Sequence, residues 1–194
     1  MELFSGYLGA LLAILILSCF VKVATVLGIL RFGLGLSGPA FGIVIFVVSI
    51  AFALTVIDPK LQSSGGVQLF AGRGTLSEQQ LEVQFRPFLH KNTKSAVLQR
   101  FQGMTSISNH GEKELPFRVL LSAFLVSELQ EAFRLGCIFL IPFVVIDLAV
   151  ANIFMLLSVT QMSVQTLSLP LKILLFVAVD GWGLVAEKLL AAYG

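Results

Sequence analysis

Charge is what this chain has least of. Thirteen Lys and Arg and eleven Asp and Glu are spread over 194 residues, 12% of the total, about half the share of an ordinary soluble domain. A water-soluble fold of this size needs more polar surface, so most of the chain is expected to be buried in lipid, in partner subunits, or in both. The net charge of +2 is too small to point to nucleic acid. Histidine is limited to His90 and His110, and cysteine to Cys19 and Cys137. The cysteines lie in apolar runs without zinc or redox spacing and read as small packing residues. The histidines read as solvated surface groups. No GxSxG, Walker A or HExxH pattern is present, so no catalytic residue, metal or cofactor is assigned. On either side of the polar stretch at 158–170, the strong β-branched alternation of a membrane-barrel strand is missing too.

What is present is long apolar sequence: 57% hydrophobic residues, 17 Phe and a mean hydropathy of +0.94. Residues 3–21 carry no charge and could cross a bilayer, which needs about 20 apolar residues. Glu2 stands where a signal peptide would have a basic region, so this run is read as retained. Lys22 and Arg31 read as flanking or loop charges. Residues 32–57 are again uncharged. Gly33, Gly35, Gly38 and Pro39 break the start, which predicts a helix over 41–57, ended by Asp58-Pro59. The composition then shifts: residues 58–134 hold nine of the thirteen basic and seven of the eleven acidic residues. Ser77-Glu-Gln-Gln80 fits a capping box, followed by Leu81, Phe85, Phe88 and Leu89 at helical spacing, with Pro87 expected to kink or split the helix. Leu115-Pro116 opens the next element. Residues 120–135 read as a helix with Glu128, Glu131 and Arg134 toward one side, and apolar character continues to Leu157. The fold class is all-α: two membrane-associated helical hairpins around a helical soluble insert, divided as 1–57, 58–119 and 120–194.

Gly33-Leu-Gly-Leu-Ser-Gly38 matches GxGxxG, with Asp58 twenty residues beyond. The context rejects a dinucleotide site, because Pro39 and an all-apolar helix follow where an amphipathic helix is required. The glycines break a helical hairpin. Gly38 and Gly42 would also permit close helix packing.

Three charges remain in the apolar C-terminal third. Asp147 sits mid-helix, and Lys172 and Asp180 sit in the next helix. An ionised group at bilayer depth costs about 2.5–3.5 kcal/mol even on the lenient scale, so these are expected to be buried away from lipid. A reversal near residues 158–163 brings Asp147 and Lys172 to similar depth, where they could pair within the hairpin or across subunits. A structural pair fixing register is the leading reading; an ion or proton relay through Asp147, Lys172 and Asp180 is the alternative. The reversal itself is the polar stretch SVTQMSVQTLSLP, residues 158–170. It reads as a bend near 158–168 between helices 135–157 and 169–192, with Pro170 in the first turn of the second. As a bland reading it is a solvated loop tip; as a sharper one it faces a pore.

Several motifs resemble one family. Leu125-Val-Ser-Glu-Leu-Gln-Glu-Ala-Phe133 resembles xxSELxxAF. Ile141-Pro-Phe-Val-Val-Ile-Asp-Leu148 resembles LPFLVIDL. The run Leu167–Phe176 and Val179-Asp-Gly-Trp182 resemble SLPxKLLLF and VDGW, and Arg86–Thr93 extends the likeness. Together they resemble the FliP/SctR family of type III secretion export-gate proteins. That resemblance implies a subunit present in five copies, with FliQ/SctS-type and FliR/SctT-type subunits, in a helical pore-forming cone. It implies contact with FlhB/SctU-type and FlhA/SctV-type proteins, with membrane lipid and with secreted polypeptides. It places the assembly in the bacterial inner membrane, at and above its periplasmic face. In the family the bend carries methionines that seal the closed pore. Here the matching positions are Val159, Gln161 and Met162; the usual methionine cluster is absent, which favours the injectisome branch. A small ion transporter and a scaffold without a conduit remain the rival readings.

Overall fold

The structure is a computed structural model, and it describes residues 20–63, 78–104, 115–159 and 161–191. Seven helices make up the described chain: α1 (Phe20–Leu34), α2 (Pro39–Ser63), α3 (Glu78–Asn92), α4 (Ser95–Met104), α5 (Phe117–Leu156), α6 (Val164–Ala178) and α7 (Gly181–Leu190). The first apolar run up to Cys19, the capping serine Ser77 and His110 lie outside the described residues.

Local chemistry ends the helices. At the end of α1 the chain turns left-handed at Gly35 (φ 75°). Leu36 N–H reaches back to the Arg31 carbonyl at 3.2 Å and Gly35 N–H to that of Phe32 at 3.0 Å, the paired bonds of a Schellman cap. The Arg31 side chain then clasps the turn, donating from Nε to Leu36 O at 2.8 Å and from Nη2 to Gly38 O at 2.7 Å. Pro39 opens α2 at the first helical position, where its missing N–H costs nothing. The glycine-rich stretch is thus a hairpin turn. A Cβ added at Gly42 would meet only Arg31 Nη1, at an ordinary contact distance of 3.4 Å.

One expected break is absent: helix α2 runs to Ser63, past Asp58-Pro59. Helix α3 runs through Pro87 without splitting. A proline removes one backbone hydrogen bond and bends a helix, but it does not by itself end one. The separate helix expected over 120–135 merges with the apolar run after it into α5, 40 residues long.

The described chain forms two compact units: one holds the start of α1 through Lys22 with Ile50–Glu131, the other Val23–Ser49 with the chain from Ala132 onward. Both draw on α1 and α5, so packing groups the chain differently from a division into consecutive segments. In the first unit, α3 and α4 dock on the N-terminal half of α5. Leu89, Leu120, Ala123 and Phe124 are fully buried, and the Phe88 and Phe124 rings meet at 5.8 Å. Arg86 donates to the Leu115 carbonyl at 2.9 Å, pairs with Glu82, and so anchors α3 beside the start of α5. Lys94 N–H donates to Ser127 Oγ at 3.0 Å.

In the second unit α1 lies against α5 at two glycines. A Cβ on Gly33 would meet Leu140 Cδ1 at 2.8 Å and Phe143 Cδ2 at 2.9 Å, and one on Gly136 would overlap Ile29 Cδ1 and lie 3.1 Å from Ile29 Cβ. The outer surfaces stay apolar: Ile43, Phe46 and Val47 on α2 and Ile141, Val145 and Leu148 on α5 are all exposed. Such faces meet lipid or other protein. Cys137 is exposed as well, on the outer surface and not in the core of the chain.

The close approach gives a test by contrast. Gly28 lies in α1 with open space around a Cβ, so Gly28→Ala is expected to stabilise by up to about 1 kcal/mol through helix propensity. Gly136→Ala is expected to destabilise instead, by about 1–3 kcal/mol of overpacking against Ile29. Thermal midpoints of the purified protein in detergent read the sign. Stabilisation by both would show that α1 does not lie this close to α5.

Candidate functional site

Helices α5 and α6 form an antiparallel hairpin, and its inner seam is short and polar at its centre. The buried stripe of α6 is Ser168, Lys172 and Phe176, four residues apart and therefore on one face. Across the seam, Phe176 meets Phe143 with ring centroids 6.4 Å apart, and Lys172 Nζ lies 2.6 Å from Asp147 Oδ2. The two pairs are symmetric about the bend, which is what an antiparallel register requires. Lys172 is buried at 5% side-chain exposure, whereas Asp147 keeps 40% of its side chain open. The structure thus joins the two charges inside one chain. Asp147 Oδ1 and Ser168 Oγ are buried beside this link without a hydrogen-bond partner.

The bend is tighter than the sequence suggested. Helix α5 ends in a second Schellman cap: Val159 N–H reaches Phe154 O at 2.9 Å and Ser158 N–H reaches Met155 O at 3.2 Å. Ser158 takes the left-handed position (φ 55°). Ser163 then caps α6, accepting from Gln165 N–H at 3.3 Å, and the helix begins at Val164. The start expected at 169 is therefore too late, and Pro170 falls inside α6 instead of in its first turn. Ser163 is a good N-cap, and Val-Gln-Thr-Leu after it continues the helix despite its polar look. Met162 and Gln161 are exposed in the bend, and Val159 is half-buried.

Asp180 has a different place from the one the sequence suggested. It is exposed, left-handed (φ 48°), and caps α7 by accepting from Gly183 N–H. A Cβ on Gly183 would collide with that carboxylate, and one on Gly181 with the Phe176 ring. Trp182 packs edge-on against Phe176 at 5.4 Å. This motif bends the path between α6 and α7 by 62°. Asp180 is spent on a helix end and is not a buried charge.

Lys22 is the residue the sequence undervalued. It is 2% exposed, with Nζ 3.8 Å from Glu128 Oε1, itself buried. Its place between two apolar runs resembled a flanking charge, and only the fold brings the glutamate of the SEL motif to it. Glu131, one turn on, instead pairs near the surface with Lys94 at 2.7 Å. No cluster of three or more metal-binding side chains occurs among the described residues.

Helix α5 is long and apolar enough to cross a membrane, and α6 with α7 would make a second, broken span. A hairpin of this kind with a charged pair at its centre suits a membrane complex. Residues 8–189 match the model of the FliP family. The chain belongs to the FliP family. It is 34% identical over 187 residues to a flagellar biosynthetic protein FliP of Cereibacter sphaeroides, covering 91% of this chain and 61% of that protein. It is 31% identical over 189 residues to the FliP protein of Aquifex aeolicus, covering 93% of this chain and 79% of that one. Against the FliP protein of Bacillus subtilis it is 27% identical over 186 residues, covering 93% and 84%. The chain thus spans less than two thirds of the Cereibacter protein and more of the other two. These relatives are flagellar by name, and they give no support to a placement in the injectisome branch.

The uneven burial of the Asp147–Lys172 pair predicts uneven mutants. Asp147→Leu strands a buried ammonium, at a cost of about 3–5 kcal/mol. Lys172→Met leaves a carboxylate with an open side that polar groups can reach, so its cost is expected to be smaller. The double variant is expected to recover most of the loss, because an apolar replacement of a buried pair is often near neutral. Midpoints in detergent measure all three; equal losses in the two single variants would refute the asymmetry.

Proposed function

We propose that this chain is a core subunit of the export gate of a type III secretion system, a non-enzymatic protein that helps to form the conduit for unfolded polypeptides. Family membership supports the general role. The observation that carries the pore assignment is the α5–α6 bend, where Met162 and Gln161 stand exposed at the tip of an apolar hairpin fixed by the Asp147–Lys172 link. In this reading five copies place their bends around one axis, together with FliQ/SctS-type and FliR/SctT-type subunits. The exposed apolar faces of α2 and α5 meet those neighbours and lipid, and FlhB/SctU-type and FlhA/SctV-type proteins associate with the assembly. The complex sits in the inner membrane, at and above its periplasmic face. Met162, an unbranched and adaptable side chain, narrows the closed passage with Gln161 and Val159. A relay through Asp147, Lys172 and Asp180 finds no support, since Asp180 is occupied as a helix cap.

A photoreactive residue at position 162 tests the reading in the whole complex. With a secretion substrate trapped in transit, a covalent adduct between that residue and the substrate is expected. Its absence, with the complex assembled and the substrate engaged, would remove the bend from the conduit. Independently, Met162→Ala combined with Gln161→Ala is expected to raise ion leak through the closed complex.

A further inference from the structure

We propose that Ser168 is the second partner of the Asp147 carboxylate: its hydroxyl donates to Oδ1 while Lys172 donates to Oδ2, so that two residues of α6 one helical turn apart grip one carboxylate of α5. Three observations converge. Ser168 is 1% exposed, and its Oγ and Asp147 Oδ1 are both buried atoms without a hydrogen-bond partner. A buried hydroxyl and a buried carboxylate oxygen left unsatisfied are each costly, and such groups are rarely left alone in a native fold. The hydroxyl also stands on the same buried face of α6 from which Lys172 already meets that carboxylate. Finally, Ser168 and Lys172 are i and i+4 on the buried stripe of α6, the spacing that aims two side chains at one target.

In the structure the hydroxyl does not meet hydrogen-bond geometry, and a change of χ1 between staggered positions is the adjustment that the bond requires. The carboxylate supplies the acceptor and the hydroxyl its only donor, so the two needs cancel. A single Lys–Asp contact acts as a pivot, because a long lysine stem lets α6 roll on α5. A second, short contact one turn away stops the roll. This explains why a serine stands four residues before the lysine in the Ser-Leu-Pro-Leu-Lys stretch, where an apolar seam would otherwise take alanine or leucine. The inference does not depend on whether the bend lines a pore.

Isotope-edited infrared spectroscopy of the full chain in detergent tests it. The difference between the native protein and Asp147→Asn isolates the Asp147 carboxylate stretch. Ser168→Ala is expected to shift that band, and Ser168→Thr, which restores a hydroxyl, to return it toward the native position. A band that ignores Ser168→Ala overturns the proposal. Thermal unfolding gives a second reading. Ser168→Ala is expected to lower the midpoint by about 2–4 °C in the native background, the shift one such hydrogen bond gives in a chain of this size. In the Asp147→Leu, Lys172→Met background it is expected to lower it not at all. Equal losses in both backgrounds would make Ser168 a packing residue and overturn the clamp.

Discussion

The ammonium of Lys172 sits inside an otherwise apolar hairpin, and the rest of the second unit is arranged around the need to neutralise it. Burying an ion costs several kcal/mol even after relaxation. The Asp147 contact at 2.6 Å offsets that cost only if α5 and α6 keep one register. Phe143 against Phe176 holds the seam on the side away from the bend, and the Schellman cap at Ser158 with the Ser163 N-cap holds it at the bend. A slip of one residue would carry Lys172 out of line with Asp147 and onto an apolar neighbour. The charge pair therefore gives little net stability, but it makes the wrong registers expensive.

Much of this was legible in the residues. The scarcity of charge gave the membrane class, and two apolar helices reversing near residue 160 set Asp147 opposite Lys172. The glycines at 33–38 were readable as a hairpin break because Pro39 follows them. Three things were hidden. Lys22 looked like a flanking charge, because its partner Glu128 lies more than a hundred residues away and nothing local marks the pair. Asp180 looked like a buried ion, because sequence gives no sign that a residue will turn left-handed and cap the helix after it. The start of α6 was misplaced because Ser, Gln and Thr read as loop, whereas here one serine caps and the others ride the first turn.

The helix ends share a logic. At Gly35, Ser158 and Asp180 the chain reverses or bends through one left-handed residue, and at two of the three the residue is not glycine. A side chain in that conformation costs about 1–2 kcal/mol. Asp180 recovers part of it by accepting from Gly183 N–H. Ser158 recovers it through the two backbone bonds of its cap. Both bends also draw on packing: the Asp147–Lys172 link backs the first, and Phe176, set between Phe143 and Trp182, backs the second.

Helix α5 has 40 residues, about 60 Å at 1.5 Å per residue. The hydrocarbon slab of a bilayer is about 30 Å thick, and helices tilt in it by no more than about 40°. No orientation within that range places the whole rod in lipid, so roughly a third or more of α5 stands outside. Val126, Leu129 and Phe133 are exposed on its N-terminal half, among the charges of the SEL segment. A bilayer deep enough to cover them would also have to take in Glu131, about one and a half turns from Val126, and Arg134, next to Phe133. Exposed apolar side chains thus stand beside charged ones on that half of the helix, and its length alone is about twice what a bilayer core needs.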